Sequence, residues 1–237
     1  MDTPKTPTLL KGSEITIKCL ELLGVEVVFA YPGGQAIELH QALSKSKMRV
    51  ILPRHEQGGA FAAGGYARIS GKVGVCMATS GPGATNLVSG IADAYMDSIP
   101  TVFITGQVPS SMIGKNVFQE TDIIGVTRPI VKHSFLVLDA KDIPQIMKEA
   151  FYIASSGRPG PVVVDIPKNV QQQRVEFNFD VPVALNYYHP DPVFDPADAE
   201  KIRELIAASK CPCIYAGGGI ISAGASAELL KFAESYN

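Results

Sequence analysis

The amino-acid sequence predicts an α/β protein: a doubly wound, mostly parallel sheet, followed by the start of a second α/β domain. Three observations carry this. Short, nearly unbroken apolar runs such as Val25 to Ala30 and Val162 to Ile166 read as parallel strands covered on both faces. Segments of helical period separate them. The 22 glycines and 17 prolines fall between the runs instead of in one low-complexity block, which is how βαβ units alternate.

Taken in order, Ser13 can cap a first helix with the apolar stripe Ile15, Cys19, Leu22 and Leu23, and Gly24 stops it in the left-handed conformation. The run from Val25 is the first strand, and Pro32, Gly33 and Gly34 turn the chain. Next come helix 35–45, strand 50–53, helix 56–69, strand 73–79, helix 83–96 and strand 101–105. A short strand from Phe135 to Leu138, helix 142–155 and the strand from Val162 to Ile166 complete the sheet. Beyond Gln171 the periodicity fades and Pro182, Pro190, Pro192 and Pro196 accumulate, as in an inter-domain connection. The expected organisation is a first domain at 1–180, a linker at 181–196 and a second domain beginning at 197–237. There Asp195 and Pro196 form an N-cap and N1 pair for helix 197–208. A strand from Cys213 to Ala216, the turn Gly217 to Gly219 and helix 224–235 follow. One strand and two helices cannot bury both faces of a sheet, so this segment is expected to open a larger domain and the chain to be a fragment.

Composition narrows the function. With 46% hydrophobic and 19% charged residues and a formal net charge of −2, the chain is neither disordered nor a coiled coil. Nothing in that balance forms the electrostatic footprint of a nucleic-acid or anionic-membrane partner. No run approaches a membrane span, and the opening MDTPKTP has no apolar leader core, so a cytoplasmic protein with a small-molecule substrate is expected. Cys19, Cys76, Cys211 and Cys213 have no zinc-site spacing and read as reduced core residues, with no metal site.

Ligands of open parallel sheets bind beyond the carboxyl ends of the strands. Four turns therefore matter: Tyr31 to Gly34, Arg54 to Gly58, Thr79 to Gly83, and Gly106 to Pro109 leading to Phe118, Gln119 and Glu120. Glu56 stands at a strand end and a helix N-terminus, where the dipole favours negative charge. It suits a proton relay, or it satisfies amide donors of the helix. His55 beside it reads more readily as structural. Gly81 and Gly83 resemble a phosphate cradle without the Walker Lys, and a tight turn explains them as well. Gly217 to Gly219 fail the dinucleotide fingerprint because position 222 is Ser.

The ordered stretches FAYPGGQAIELHQAL, LPRHEQGGAFAAGGYAR, ATSGPGATNLVSGIADAYMDSIP, ITGQVPSSMIG, VFQETD and SGRPGPVVVDIPK together closely resemble the large subunit of the acetolactate synthase (acetohydroxyacid synthase) family of thiamin-diphosphate enzymes, from about residue 12 onward. The resemblance implies that the first domain is the pyrimidine-binding domain and the second the opening of the middle domain. It implies that Glu56 is the cofactor-activating glutamate. Such a carboxylate hydrogen-bonds N1′ of the aminopyrimidine and favours the imino form, whose 4′ nitrogen removes the thiazolium C2 proton. Condensation of pyruvate with pyruvate or 2-oxobutyrate and loss of CO2 would follow, in branched-chain amino-acid biosynthesis. By the same resemblance Gly34 is a backbone donor near the reacting carbon and Gln119 a cofactor contact, while Phe118 and Lys168 face the substrate. Arg158, Gly217 and Gly218 match contacts to a structural FAD. Mg²⁺ ligands of the family belong to a Gly-Asp-Gly motif that does not occur in this chain, so they are expected outside it and the fragment alone is expected to be inactive.

The family further implies a homodimer or tetramer with room for a regulatory small subunit. The small and apolar helix Ala84, Leu87, Val88, Ile91, Ala92, Ala94 and Tyr95 suits such pairing or a core position equally. Gly64 replaces a Glu common in relatives, and Ser110 and Ser111 replace arginines of plant relatives, so contacts there do not transfer. The alternatives are another thiamin-diphosphate carboligase or decarboxylase, such as a sulfoacetaldehyde acetyltransferase, and a non-catalytic dimerisation or regulatory-subunit-binding module.

Overall fold

The computed structural model describes residues 9–183, 185–190 and 195–236. The MDTPKTP opening and Pro192 of the expected linker lie outside them. The chain divides into two compact units, Met1–His189 and Pro190–Asn237.

In the first unit the elements run β1 (Leu9–Lys11), α1 (Gly12–Leu22), β2 (Val27–Ala30), α2 (Ile37–Leu43), β3 (Arg49–Ile51), α3 (Glu56–Ser70), β4 (Gly74–Ala78), α4 (Pro82–Thr85) and α5 (Val88–Met96). They continue with β5 (Thr101–Gln107), α6 (Ile123–Thr127), β6 (His133–Leu136), α7 (Ile143–Ser155), β7 (Pro161–Pro167), α8 (Lys168–Gln172) and β8 (Arg174–Glu176). Six strands form one sheet in the order β3-β2-β4-β5-β7-β6, and every pair in it is parallel. The α/β, doubly wound expectation holds.

Why the central strands read as unbroken apolar runs is visible in their burial. Every residue of β4, β5 and β7 is buried, with alternate side chains sent to opposite faces. Val75, Met77, Val102, Ile104, Val162, Val164 and Ile166 join the larger core, which includes residues of α1, α2 and α7. Cys76, Ala78, Phe103 and Val163 enter a smaller core with Ala60 and Ala63 of α3 and Leu87 and Ile91 of the α5 region. That second layer is thin because α3 presents small residues. A Cβ on Gly90 would stand 2.4 Å from the Ala60 Cβ, so α3 and α5 cross almost backbone to backbone and fix what lies at their ends.

Gly24 ends the first helix region at φ 78°, as its position predicts. The predicted helix 83–96 tightens at its second turn, where Leu87 N donates to Ala84 O, three residues back, and separates into α4 and α5. The pairing of β1 with β8 was not legible, because two antiparallel strands of three residues lie more than 160 residues apart. A glycine in the middle of α3 offers a test of the helix's own energetics. Gly65 is exposed and nothing lies within 4 Å of where its Cβ would go, so Gly65→Ala is expected to stabilise the chain by about 0.5–1 kcal/mol. The expected observation is a higher urea midpoint at unchanged slope.

In the second unit α9 (Pro196–Ala208) starts as predicted, with the Asp195 carboxylate accepting from Ala197 N. The short α10 (Gly219–Ser222) and α11 (Ser226–Tyr236) follow. The predicted strand from Cys213 to Ala216 does not form: the segment pairs with no strand among the described residues, and a strand needs a neighbour to take up its backbone groups. The expectation of four core cysteines is corrected by the same fact. Cys19 and Cys76 are buried, and burial pushes the Cys19 thiol up to about 12, whereas Cys211 and Cys213 are exposed.

Candidate active site

The sheet order reverses between β2 and β4, since the chain passes from β2 outward to β3 and then returns to the other side of β2. In open parallel sheets the turns leaving such a pair of strands diverge, and the ligand crevice lies at their carboxyl edge. The β2 turn is clasped to the β4 turn. Gln35 N donates to Thr79 Oγ1 at 3.0 Å, and a Cβ on Gly33 would lie 2.4 Å from Thr79 Cγ2. Only glycine permits that approach.

Glu56 is the first residue of α3, and His55 caps the helix by accepting Gln57 N at its Nδ1, 3.2 Å away. The Glu56 side chain is nearly buried. Its Oε2 accepts from Asn86 Nδ2 at 2.9 Å, and Oε1 has no hydrogen-bond partner among the described residues. A Cβ on Gly83 would come within 3.3 Å of that oxygen, so the Gly-Pro-Gly turn leaves one face of the carboxylate uncrowded. The sequence did not single out Asn86. Its signal was its place three residues beyond Gly83, on the turn where α4 passes into α5.

Gly81, at φ 58° and ψ −122°, faces a second loop. A Cβ there would stand 2.6 Å from the Gln119 carbonyl oxygen. Gln119 itself is left-handed at φ 58°, a conformation that a non-glycine residue keeps only where its surroundings dictate it. Phe118 beside it is 85% exposed. Glu120 closes the loop on itself by accepting Gly114 N and, at 3.0 Å, Val117 N, and these amides hold its carboxyl below the usual carboxylate range. Lys168, just after β7, donates to the Gly34 carbonyl at 3.3 Å.

Of the residues singled out in the sequence, Glu56, Gly34, Phe118, Gln119 and Lys168 thus come to the carboxyl edge of one sheet. Arg158 does not. It precedes β7, at the amino edge, where its guanidinium donates to Ser98 Oγ at 2.8 Å and to the Met96 carbonyl at 3.3 Å. Gly217 and Gly218 belong to the second unit, with open space where a side chain would be. Two polar atoms of the crevice turns, Ser80 Oγ and Gln35 Oε1, are buried without a hydrogen-bond partner among the described residues.

Below the crevice lies a polar cluster that sequence reading missed. Thr105 and Asp165 are register partners on β5 and β7, and the Thr105 hydroxyl donates to Asp165 Oδ1 at 2.6 Å. Gln107 Nε2 donates to Asp165 Oδ2 and to the Thr121 carbonyl, each at 2.9 Å. Burial pushes the Asp165 carboxyl up to about 7; the two donors pull it down and the charge of Asp122 adds to the rise. Within an apolar strand this aspartate read as an interruption only.

Residues 10–126 match the family described as thiamine pyrophosphate enzyme, N-terminal TPP binding domain. The chain is 57% identical over 228 residues to acetolactate synthase 3, chloroplastic, of Brassica napus, and 56% identical over 227 residues to acetolactate synthase, chloroplastic, of Arabidopsis thaliana. An acetolactate synthase 2, chloroplastic, of Nicotiana tabacum is 55% identical over 227 residues. Each match covers 94% of this chain and 34% of the relative, so the chain spans about a third of their length. These chloroplastic relatives overturn the expectation of a cytoplasmic protein. That expectation rested on a missing apolar leader, which speaks only to secretion, since plastid transit peptides are polar and amphipathic. No helix among the described residues is long and apolar enough to cross a membrane. With the Gly-Pro-Gly turn and Glu56 both inside the matched span, residues 10–126 of this chain belong to the thiamine pyrophosphate enzyme family as its N-terminal TPP binding domain, and the chain is similar to the acetolactate synthases.

Proposed function

We propose that this chain is the cofactor-activating part of an acetolactate synthase, which condenses pyruvate with pyruvate or 2-oxobutyrate and releases CO2. The observation that carries it is the Glu56 carboxylate: it lies at the crevice with Oε2 held by Asn86 and Oε1 free of hydrogen bonds among the described residues. Residues 1–180 are read as the pyrimidine-binding domain and 197–237 as the opening of the middle domain, joined by 181–196.

The crevice fits the aminopyrimidine end of thiamin diphosphate on its own chemistry. It offers a carboxylate with an available oxygen, glycine backbone at Gly34 with nothing within 4 Å of a Cβ position, and the unpaired buried acceptors of Gln35 and Ser80. When bound, thiamin diphosphate supplies the carbon nucleophile and electron sink for decarboxylating a 2-oxo acid. The chain's own part is positional and acid-base. Asn86 fixes one oxygen of Glu56 so that the other meets a ring nitrogen and exchanges a proton there. The helix start restrains the backbone of Glu56. Phe118 and Lys168 are proposed to face the substrate, and Gln119 the cofactor.

FAD and Mg²⁺ are expected from the resemblance alone. Arg158 already holds the Met96 and Ser98 turn, so its guanidinium is engaged within the chain. Among the described residues no three His, Cys, Asp or Glu side chains gather to hold a metal. Mg²⁺ would be held by the remainder of a longer protein. Assembly as a dimer or tetramer, with a regulatory small subunit as a further partner, is supported by the exposed Phe61, Ile69, Tyr95 and Met96 on α3 and α5.

The test is product analysis of the longer protein that carries this chain, supplied with thiamin diphosphate, Mg²⁺ and FAD. Acetolactate from pyruvate is the expected result. Acetyl transfer from sulfoacetaldehyde in its place would assign the chain to another carboligase, and cofactor binding without turnover of either substrate would leave a non-catalytic module.

A further inference from the structure

We infer that Asp165 is a positioning residue for this reaction: from within the sheet it fixes the amide of Gln107, whose other N–H holds the Thr121 carbonyl and so sets Phe118 and Gln119 against the Gly81-Pro82-Gly83 turn. The inference rests on the reading of the crevice given above.

The geometry is one of shared donors. A glutamine amide has two N–H groups and one carbonyl. In Gln107 one N–H goes to Asp165 Oδ2 and one to Thr121 O, while the carbonyl accepts Val108 N at 2.9 Å. The side chain is almost fully buried, so rotating it away would leave buried groups unpaired. Thr105 completes the set by donating to the other oxygen of Asp165. Phe103 and Val163 sit in the thin core layer, and strand alternation puts Thr105, Gln107 and Asp165 on that same face, at the carboxyl end.

Position in the chain gives this cluster its consequence. Among the described residues, the Gln107 to Thr121 bond is the one hydrogen bond joining residues 113–121 to anything outside 112–123; the loop's other bonds are its own. The contact of Gly81 with the Gln119 backbone is steric, which limits approach but does not retain the loop. A buried carboxylate among valines costs stability that a further valine would not, so its worth lies in what it holds.

Amide hydrogen exchange of the chain, followed by mass spectrometry, tests the tether. Asp165→Val removes the acceptor at nearly the same volume. Exchange across 113–121 is expected to accelerate about tenfold while β4 and β5 keep their protection. Asp165→Asn is the conservative control. Its Oδ1 can take the Gln107 N–H and its Nδ2 can donate to a Thr105 hydroxyl with reversed role, so slow exchange should survive. A folded Asp165→Val chain with unchanged exchange in 113–121 overturns the inference. Should that variant not fold, Gln107→Met is read in the same way, and failure of both to fold makes Asp165 a core requirement and also overturns it. In the longer enzyme, kcat should fall about tenfold in Asp165→Val with a smaller change in KM, and recover in Asp165→Asn. A loosened loop with unchanged kcat sinks the positioning role and leaves the acetolactate reading standing. Absence of acetolactate from the unsubstituted enzyme sinks that reading alone, and the exchange comparison still decides the tether.

Discussion

Glu56→Gln in the longer enzyme is expected to lower kcat for acetolactate formation by about 10²- to 10⁴-fold, the range lost when a positioned acid-base group is removed. The amide is isosteric, and its carbonyl can still accept from Asn86, as Oε2 does at 2.9 Å. Packing at the start of α3 is therefore retained, and far-UV circular dichroism and the melting temperature should stay near those of the parent. What would disappear is the proton exchange at a ring nitrogen proposed for the second oxygen. Glu56→Asp should be impaired for a different reason: withdrawing the carboxylate by one methylene breaks its reach, not its chemistry, and small misplacements of a reacting group cost up to about 10²-fold. Full activity in the Gln form, with thiamin diphosphate bound, would remove Glu56 from the mechanism.

Glu56 was legible because its position is a local property: a polar turn between an apolar run and a small-residue helix puts it at a strand end. The sheet was legible for a related reason, since strands covered on both faces write themselves as unbroken apolar runs, as β4, β5 and β7 do. What was not legible is non-local. Asn86 reaches Glu56 across 30 residues, and Asp165 reaches Gln107 across 58; neither spacing has a period. β1 and β8 are too short to show alternation and find each other only in the folded chain. The strand expected from Cys213 to Ala216 is the opposite case: its local pattern is right for a strand, but no neighbour among the described residues pairs with it. Arg158 shows a further limit: its place before a parallel strand puts it at the edge opposite Glu56, but its partners Ser98 and Met96 lie 60 and 62 residues away and left no local signal.

The tether at Asp165 should also leave a mark on stability as a function of pH, and Asp165→Asn should erase it. Burial pushes the carboxyl up to about 7 in the folded chain, against about 3.9 when unfolded. Between those values the folded state binds more protons than the unfolded one, so the unfolding free energy falls as pH rises from about 4 to about 7 and the penalty is complete above that. At 1.36 kcal/mol per pH unit, the span corresponds to a penalty of on the order of 4 kcal/mol at pH 8. Asparagine carries no such ionisation and can keep both partners. Urea unfolding of the chain at pH 5, 6, 7 and 8 should therefore show a gap in favour of Asp165→Asn that widens with pH, whereas parallel curves would mean that Asp165 is not desolvated as its surroundings imply. The carboxylate that weakens the fold at neutral pH is the same group that accepts the Gln107 amide, and through it is tied to the loop that carries Phe118 and Gln119.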